Sequence, residues 1–245
     1  MRKLGLIGGM SWVSTAMYYE AINKGVAKRA GGLSSAPLLI ESHDFAGVAA
    51  LQAGGDWDAL GRLMAESAQR LEDAGAEGLV ICSNTMHKLY PEVADAVGIP
   101  ILHIGDVTAE KLVADGVARA GLIGTRFTMN EDFYRDRIEG HGIAIATPDA
   151  GMMNEIDRII FEELARGQVS RVSQRTLKTC IANMAQAKSQ VVILGCTELI
   201  MLVDSSANML PVYDTTAIHA RAAVDWILAE PAAAPAEPEI AEALP

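Results

Sequence analysis

The sequence predicts an α/β protein of two pseudosymmetric lobes, each a parallel sheet flanked by helices, with its active site in the cleft between them. Three observations carry this. Short runs of β-branched residues and leucine alternate with stretches of helical apolar spacing, the pattern of strands buried on both faces and covered by helices. Several of those runs end at glycine followed by small polar residues, as strand ends in open α/β sheets do where they meet ligands. The second half also repeats the first.

The repeat rests on three pairs in the same order. Gly5-Leu6-Ile7-Gly8-Gly9 matches Gly121-Leu122-Ile123-Gly124-Thr125, Leu79 to Ser83 matches Val192 to Cys196, and Gly98-Ile99-Pro100 resembles Met209-Leu210-Pro211. Gly5 and Gly121, Ser83 and Cys196, and Pro100 and Pro211 stand 116, 113 and 111 residues apart, nearly constant offsets. Two lobes facing each other would bring Ser83 and Cys196 to one cleft. The expected partition is residues 1–105 with 212–228 in an N-terminal lobe and 106–211 in a C-terminal lobe. Residues 229–245, rich in Ala, Pro and Glu, lack apolar bulk to bury and read as a disordered tail.

Taken in order, Lys3 to Gly9 reads as a strand entering a glycine turn, and Ser11 can cap a helix from Trp12 to Arg29. Pro37 to Glu41 is a strand, and Trp57 to Asp73 is helical by the spacing of Trp57, Leu60, Leu63, Met64 and Leu71, with Gly75 just past its end. Gly78 to Cys82 is a strand, Ser83 to His87 leads into a helix, and Ile99 to His103 is a short strand. The second pass runs through a helix at Asp106 to Asp115, a strand at Arg119 to Gly124, a helix at Met129 to Glu139 and a strand at Gly142 to Ile145. Helices at Met152 to Arg166 and Val172 to Ala187 precede the strand opening at Val191. A loop through Asp204 to Asn208, a segment from Leu210 to Asp214 and an amphipathic helix from Thr215 to Leu228 follow. That last helix is expected to cross back to the first lobe.

Half of the 245 residues are hydrophobic, enough for a sizeable core. The formal charge of −11 argues against nucleic acid or an anionic membrane as partner, yet leaves room for a small acidic substrate held locally by backbone amides. Three scattered cysteines make no disulfide framework. There is no leader pattern at Met1 and no apolar run long enough to span a bilayer, so a soluble, cytoplasmic protein is expected.

The run Val191 to Gly195 followed by Cys196, Thr197 and Glu198 is the most informative stretch. A lone cysteine is often structural, but this one follows a buried strand and a glycine, where amides of a following helix would favour its thiolate. Thr197 and Glu198 serve either as a cap or as ligand contacts. Ser83-Asn84-Thr85 is likewise a capping motif or a cleft-facing trio. Neighbours in a strand point to opposite sides, so if Ser83 faces the cleft, Cys82 packs inward and is inert. Cys180 reads as packing, as do His43, His103, His141 and His219. Arg126, Arg166 and Lys88 read as solvated surface. The glycines make no dinucleotide fingerprint, and Cys82, His87, Cys196 and Glu198 match no zinc spacing, so no metal is expected.

Leu6-Ile7-Gly8-Gly9-Met10-Ser11-Trp12, Asn84-Thr85-Met86-His87 and Gly195-Cys196-Thr197-Glu198 together resemble the aspartate/glutamate racemase family, over Met1 to about Leu228. The resemblance implies cofactor-independent racemisation of an acidic amino acid in a homodimer, with acid and base on opposite faces of the α-carbon. It assigns Cys196 and Ser83 as the catalytic pair and Met10, Gln52, Asn84, Thr85, Thr197 and Glu198 as substrate contacts. Two-cysteine members carry cysteine where this chain has Ser83. A subgroup with a hydroxyl residue there is associated with preference for the L-isomer. Two other readings stay open: a one-thiol decarboxylase or isomerase using Cys196 alone, and a non-catalytic two-lobed binder of acidic ligands.

Overall fold

The computed structural model describes residues 1–203 and 208–230. The expected tail from residue 231 onward, and residues 204–207 of the expected loop, lie outside the described residues. The first half runs β1 (Leu4–Gly8), α1 (Trp12–Ala30), β2 (Leu38–Ser42), α2 (Phe45–Gly54), α3 (Trp57–Asp73), β3 (Gly78–Ile81), α4 (Tyr90–Ala96) and β4 (Ile101–Leu102). The second runs α5 (Ile104–Ala114), β5 (Arg119–Gly124), α6 (Arg126–Asn130), α7 (Asp132–Glu139), β6 (Ala144–Ala146), α8 (Ala150–Arg158), α9 (Arg171–Gln186), β7 (Val191–Gly195), β8 (Val212–Asp214) and α10 (Thr215–Leu228).

The strands form two parallel four-stranded sheets with the orders β2-β1-β3-β4 and β6-β5-β7-β8, the same topology twice. Leu6 pairs with Val80 in the first, and Leu122 with Ile193 in the second. The central strands β1, β3 and β7 are buried along their whole length, so their apolar runs show no alternation. Each sheet is covered on both faces. Leu60, Met64 and Leu71 of α3 pack on Ile7, Leu79 and Ile81, while Tyr18, Ile22 and Val26 of α1 cover Leu4, Leu6 and Val80 from the other side. In the second half, Leu177, Ile181 and Met184 of α9 pack on Val192 and Leu194, and α5 and α7 cover Leu122 and Ile193.

Local chemistry explains most boundaries. Ser11 accepts the Ser14 N–H at the start of α1, and Asp56 accepts the Ala59 N–H at the start of α3. Gly9 adopts φ +82°, and a Cβ there would stand 2.2 Å from the His43 backbone, so only glycine fits the turn into α1.

The structure departs from the sequence reading in four places. The helix α2 was not anticipated: its sequence, FAGVAALQAG, is apolar on every side, so it carries no helical period. The expected helix from Met129 to Glu139 is broken at Glu131, whose extended backbone (φ −92°, ψ 153°) separates α6 from α7. The expected helix through Arg166 ends its α-form at Arg158 and continues as a π-turn at Ile159–Glu163 and a 3₁₀ turn at Leu164–Arg166. The crossing back to the first lobe begins at Thr215, not at 212, because Val212–Asp214 pairs with β7. Likewise α5 starts at Ile104 and packs on the second sheet, so the first crossing falls just before residue 106. Helix α10 then lays Ala220, Ala223, Val224 and Ile227 against Leu4, Leu6 and Val80. Among the described residues, no helix is long and apolar enough to cross a membrane.

Several contacts join the halves. Asn84 Nδ2 donates to Thr215 Oγ1 (3.1 Å), whose hydroxyl donates to the Leu194 carbonyl (2.7 Å). Thr85 and Thr125 hydroxyls meet at 2.9 Å. Lys88 lies over the Trp57 ring and pairs with Glu131, while Trp57 meets Phe127 edge to face.

Behind the sheet ends lies a buried histidine group. His219 Nε2–H donates to the Leu102 carbonyl and its Nδ1 accepts from the Tyr18 hydroxyl (2.8 Å). His87 and His103 stack edge to face beside it, 4.6 Å between ring centroids. Burial, first of all, holds His219 down to about 4 and His103 down to about 3. The unfolded chain takes up protons near pH 6.5 that the folded chain refuses, so this contribution to stability is complete above that pH and is lost as pH falls toward 4. Thermal melts at pH 7.5, 6 and 5 should show a falling midpoint, with a shallower fall in His219→Gln. A midpoint flat from pH 7.5 to 5 would overturn this account.

Candidate active site

Equivalent strands of the two halves deliver the two central side chains. Beyond β3 the chain alternates: Cys82 turns inward, fully buried among Leu4, Tyr18 and Val224, where burial pushes its thiol far up. Ser83 turns the other way and lines a cavity. Its hydroxyl accepts the Met86 N–H (3.4 Å), and its carbonyl accepts Nδ1–H of His87 (2.7 Å). The other His87 nitrogen, Nε2, accepts the Ile104 N–H at 3.2 Å. That fixes a neutral tautomer, and burial keeps the ring uncharged. His87 therefore holds the Ser83 backbone in place, a role its position in the motif did not suggest.

Beyond β7, Gly195 leads to Cys196. A Cβ on Gly195 would stand 3.0 Å from Leu122 Cδ1 and Thr128 Cγ2, so the close approach of β5 and β7 favours glycine there. Cys196 is 8% exposed, opens to the same cavity as Ser83, and its thiol donates to Glu198 Oε2 at 3.1 Å. The sequence reading expected helix amides to favour its thiolate. The structure reverses this. The element that follows is a single 3₁₀ turn, Thr197–Met201, too short for a helix dipole, and the Glu198 and Leu199 amides are outweighed. Burial, and then the negative charge of Glu198, push the thiol well above its ordinary value. At rest the sulfur is protonated and hydrogen-bonded to a carboxylate.

Glu198 is itself buried and held from across the cleft. Ser11 Oγ donates to Oε1 (2.7 Å), Ser14 Oγ reaches the same oxygen at 3.1 Å, and Thr197 Oγ1 donates to Oε2 at 2.6 Å. Ser14 and Thr197 also share a short contact. The first turn of α1 thus grips the turn after β7, one half holding the other's carboxylate.

All the site residues expected from sequence meet at this one small cavity: Met10, Gln52, Ser83, Asn84, Thr85, Cys196, Thr197 and Glu198. Gln52 and Asn84 are almost fully buried, and Gln52 Oε1 and Asn84 Oδ1 have no hydrogen-bond partner. Buried acceptors of this kind suit a donor from a ligand or a water molecule. The walls also include Phe45, Thr125, Ile160, Phe161 and Ala165, which sequence reasoning missed. Thr125 was within reach, since the repeat aligns it with Gly9 at the other half's strand end. Ile160, Phe161 and Ala165 gave no local signal, because the π-turn and the 3₁₀ turn after it, which bring them to the cavity, have no distinctive composition. Among the described residues, no three His, Cys, Asp or Glu side chains converge as a metal site would require.

Comparison with known proteins agrees with this architecture. A crystal structure from Yersinia pestis, provisionally described as an Asp/Glu racemase, superposes with a TM-score of 0.87 at 45% identity, covering 94% of this chain and all of that one. An aspartate racemase homologue from Pyrococcus horikoshii OT3 gives 0.80 at 30% identity, covering 93% and 99%. The broad specificity amino-acid racemase of Bacillus subtilis is 24% identical over 174 residues, 71% of this chain and 75% of its own. The family model for Asp/Glu/hydantoin racemase matches residues 7–223, and the chain belongs to that family.

Proposed function

We propose that this member of the racemase family inverts the α-carbon of an acidic amino acid, aspartate or glutamate, using Cys196 and Ser83 on opposite faces. One observation carries the reading: the residues after β3 and β7, equivalent in the repeat, line one cavity, and one of them is a thiol hydrogen-bonded to a buried carboxylate.

Each step has a candidate group. Cys196 passes its proton to Glu198, and the resulting thiolate takes the substrate α-proton, so that a Cα–H bond breaks and an S–H bond forms. Ser83 delivers its hydroxyl proton to the opposite face and is reprotonated from solvent, while Glu198 gives up the proton it received from Cys196 to solvent, so the resting protonation states are restored. The carbanion between these steps needs its charge drawn into the α-carboxylate, and Thr85, Thr197 and the Asn84 amide are donors suited to that. The unpartnered oxygens of Asn84 and Gln52 suit an ammonium group. A serine hydroxyl is a much poorer base than a thiolate, so abstraction by Cys196 should outrun abstraction by Ser83. That asymmetry supports a preference for one enantiomer, and the resemblance to members with a hydroxyl residue at the position of Ser83 makes the L-isomer the candidate.

Four outcomes are expected. Wild type incubated with either enantiomer in D2O should give inversion together with α-deuterium, and Cys196→Ala should reduce both by roughly 10³-fold or more. Exchange retained in Cys196→Ala would sink the assignment. Ser83→Cys should raise the rate from the D-isomer by roughly tenfold or more, since it supplies a competent second base. No gain in a folded variant would count against Ser83. In Glu198→Gln the thiol has no internal acceptor, so the rate of that variant should climb with pH from 7 to 9, because burial holds the folded thiol above its ordinary value and it must then ionise to solvent. Glu198→Gln, which removes the proton acceptor, should lower kcat by roughly 10² or more. A pH profile falling over that range would contradict the thiol as base.

A further inference from the structure

The inner cavity poses a problem for an acidic substrate. Its walls contain no lysine, arginine or histidine, and its one carboxylate is Glu198. A distal carboxylate placed there would be a second buried negative charge with no counter-charge, an arrangement that desolvation and repulsion both oppose. The chain as a whole, at −11, also repels such a ligand.

Next to it lies a wider chamber, partly open to solvent, lined by Arg126, Arg158, Arg166, Asn154, Asp157 and Glu162 among others. Gln52 and Phe161 line both spaces and form the partition between them. The three arginines are not equivalent. Arg158 is taken up by Glu155, Glu162 and Glu163. Arg126 and Arg166 form no ion pair among the described residues; the Arg126 guanidinium lies over its neighbour Phe127, 4.9 Å from the ring centroid. Asp157, the other acid in the wall, accepts the Arg126 backbone N–H at 2.8 Å. Gln52 is 7% exposed, its Oε1 has no partner, and its Nε2 donates only to the sulfur of Met86 at 3.3 Å. Thioether sulfur is a weak acceptor, so that amide N–H would exchange it for a carboxylate oxygen with gain.

We propose that this outer chamber is the side-chain subsite, where Arg126 and Arg166 take the distal carboxylate of the substrate while Gln52 holds the same group at the partition. The proposal rests on the racemase reading above and names what that reading leaves open: the groups that select an acidic side chain. It also orders the acidic substrates. A side chain must reach past the Gln52–Phe161 partition to meet the guanidinium groups, so glutamate should be preferred to aspartate.

The test uses the full chain, the variants Arg126→Gln, Arg166→Gln and their combination, and the charge-keeping Arg126→Lys and Arg166→Lys. Glutarate serves as a first probe: it carries the distal carboxylate but no amine or stereocentre, so its binding does not depend on racemisation. In thermal-shift titrations glutarate should protect wild type, the double Gln variant should need at least tenfold more of it, and the Lys variants should recover most of the difference. With amino acids, kcat/KM for glutamate relative to glutamine should fall at least tenfold in the double Gln variant, and in wild type should fall as NaCl rises from 20 to 200 mM. No protection by glutarate in wild type, equal protection of wild type and the double variant, an unchanged ratio, or aspartate preferred to glutamate would each overturn the subsite. Absence of α-proton exchange on any amino acid, with glutarate binding still arginine-dependent, would sink the racemase reading and leave the anion subsite standing.

Discussion

A buried carboxylate shared between the two halves is the constraint around which the site is arranged. Glu198 cannot be left unsatisfied in the interior, and its own element supplies only Cys196 and Thr197 as donors. The remainder come from Ser11 and Ser14, at the start of α1 in the other half. Satisfying one charge therefore docks the two lobes, orients the thiol and sets how hard that thiol is to ionise. These are one set of hydrogen bonds, and a change to any member acts on all three properties.

The same economy appears at the opposite strand end. Because side chains alternate along β3, choosing Ser83 for the cavity commits Cys82 to the core, where it is both buried and unreactive. The neutral His87 then clamps the Ser83 carbonyl and the first amide of α5 together, so the position of the hydroxyl is tied to the crossing between the lobes. Two strand ends built by one repeated topology thus carry unlike chemistry, a thiol beside a carboxylate and a hydroxyl beside a clamped backbone.

Much of this was legible in the chain. Apolar runs ending in glycine marked β1, β5 and β7, and the near-constant spacing of Gly5 and Gly121, Ser83 and Cys196, and Pro100 and Pro211 foretold matching sheets. What escaped was of two kinds. Helix α2 lacks a charged face because its exposed positions are Ala46, Gly47, Ala50, Ala53 and Gly54, so periodicity had nothing to register. Cys196 was expected to ionise easily because local sequence shows a strand followed by polar residues. Its acidity is set instead by burial and by how near Glu198 folds back, neither of which a linear pattern encodes. The π-turn at Ile159–Glu163 escaped for a related reason, since one inserted residue shifts which side chains face inward without changing composition.

The path of the chain has one more consequence. It leaves the first sheet at α5 and returns only with α10, whose Ala220, Ala223, Val224 and Ile227 complete the packing over Leu4 and Leu6. A fragment cut before α5 would present that apolar face to water, and the complementary piece would carry a helix with nothing to cover. Whatever doubled the original unit also abolished its independence: the first half no longer exists as a continuous stretch of polypeptide, so the two must be inherited, synthesised and folded together.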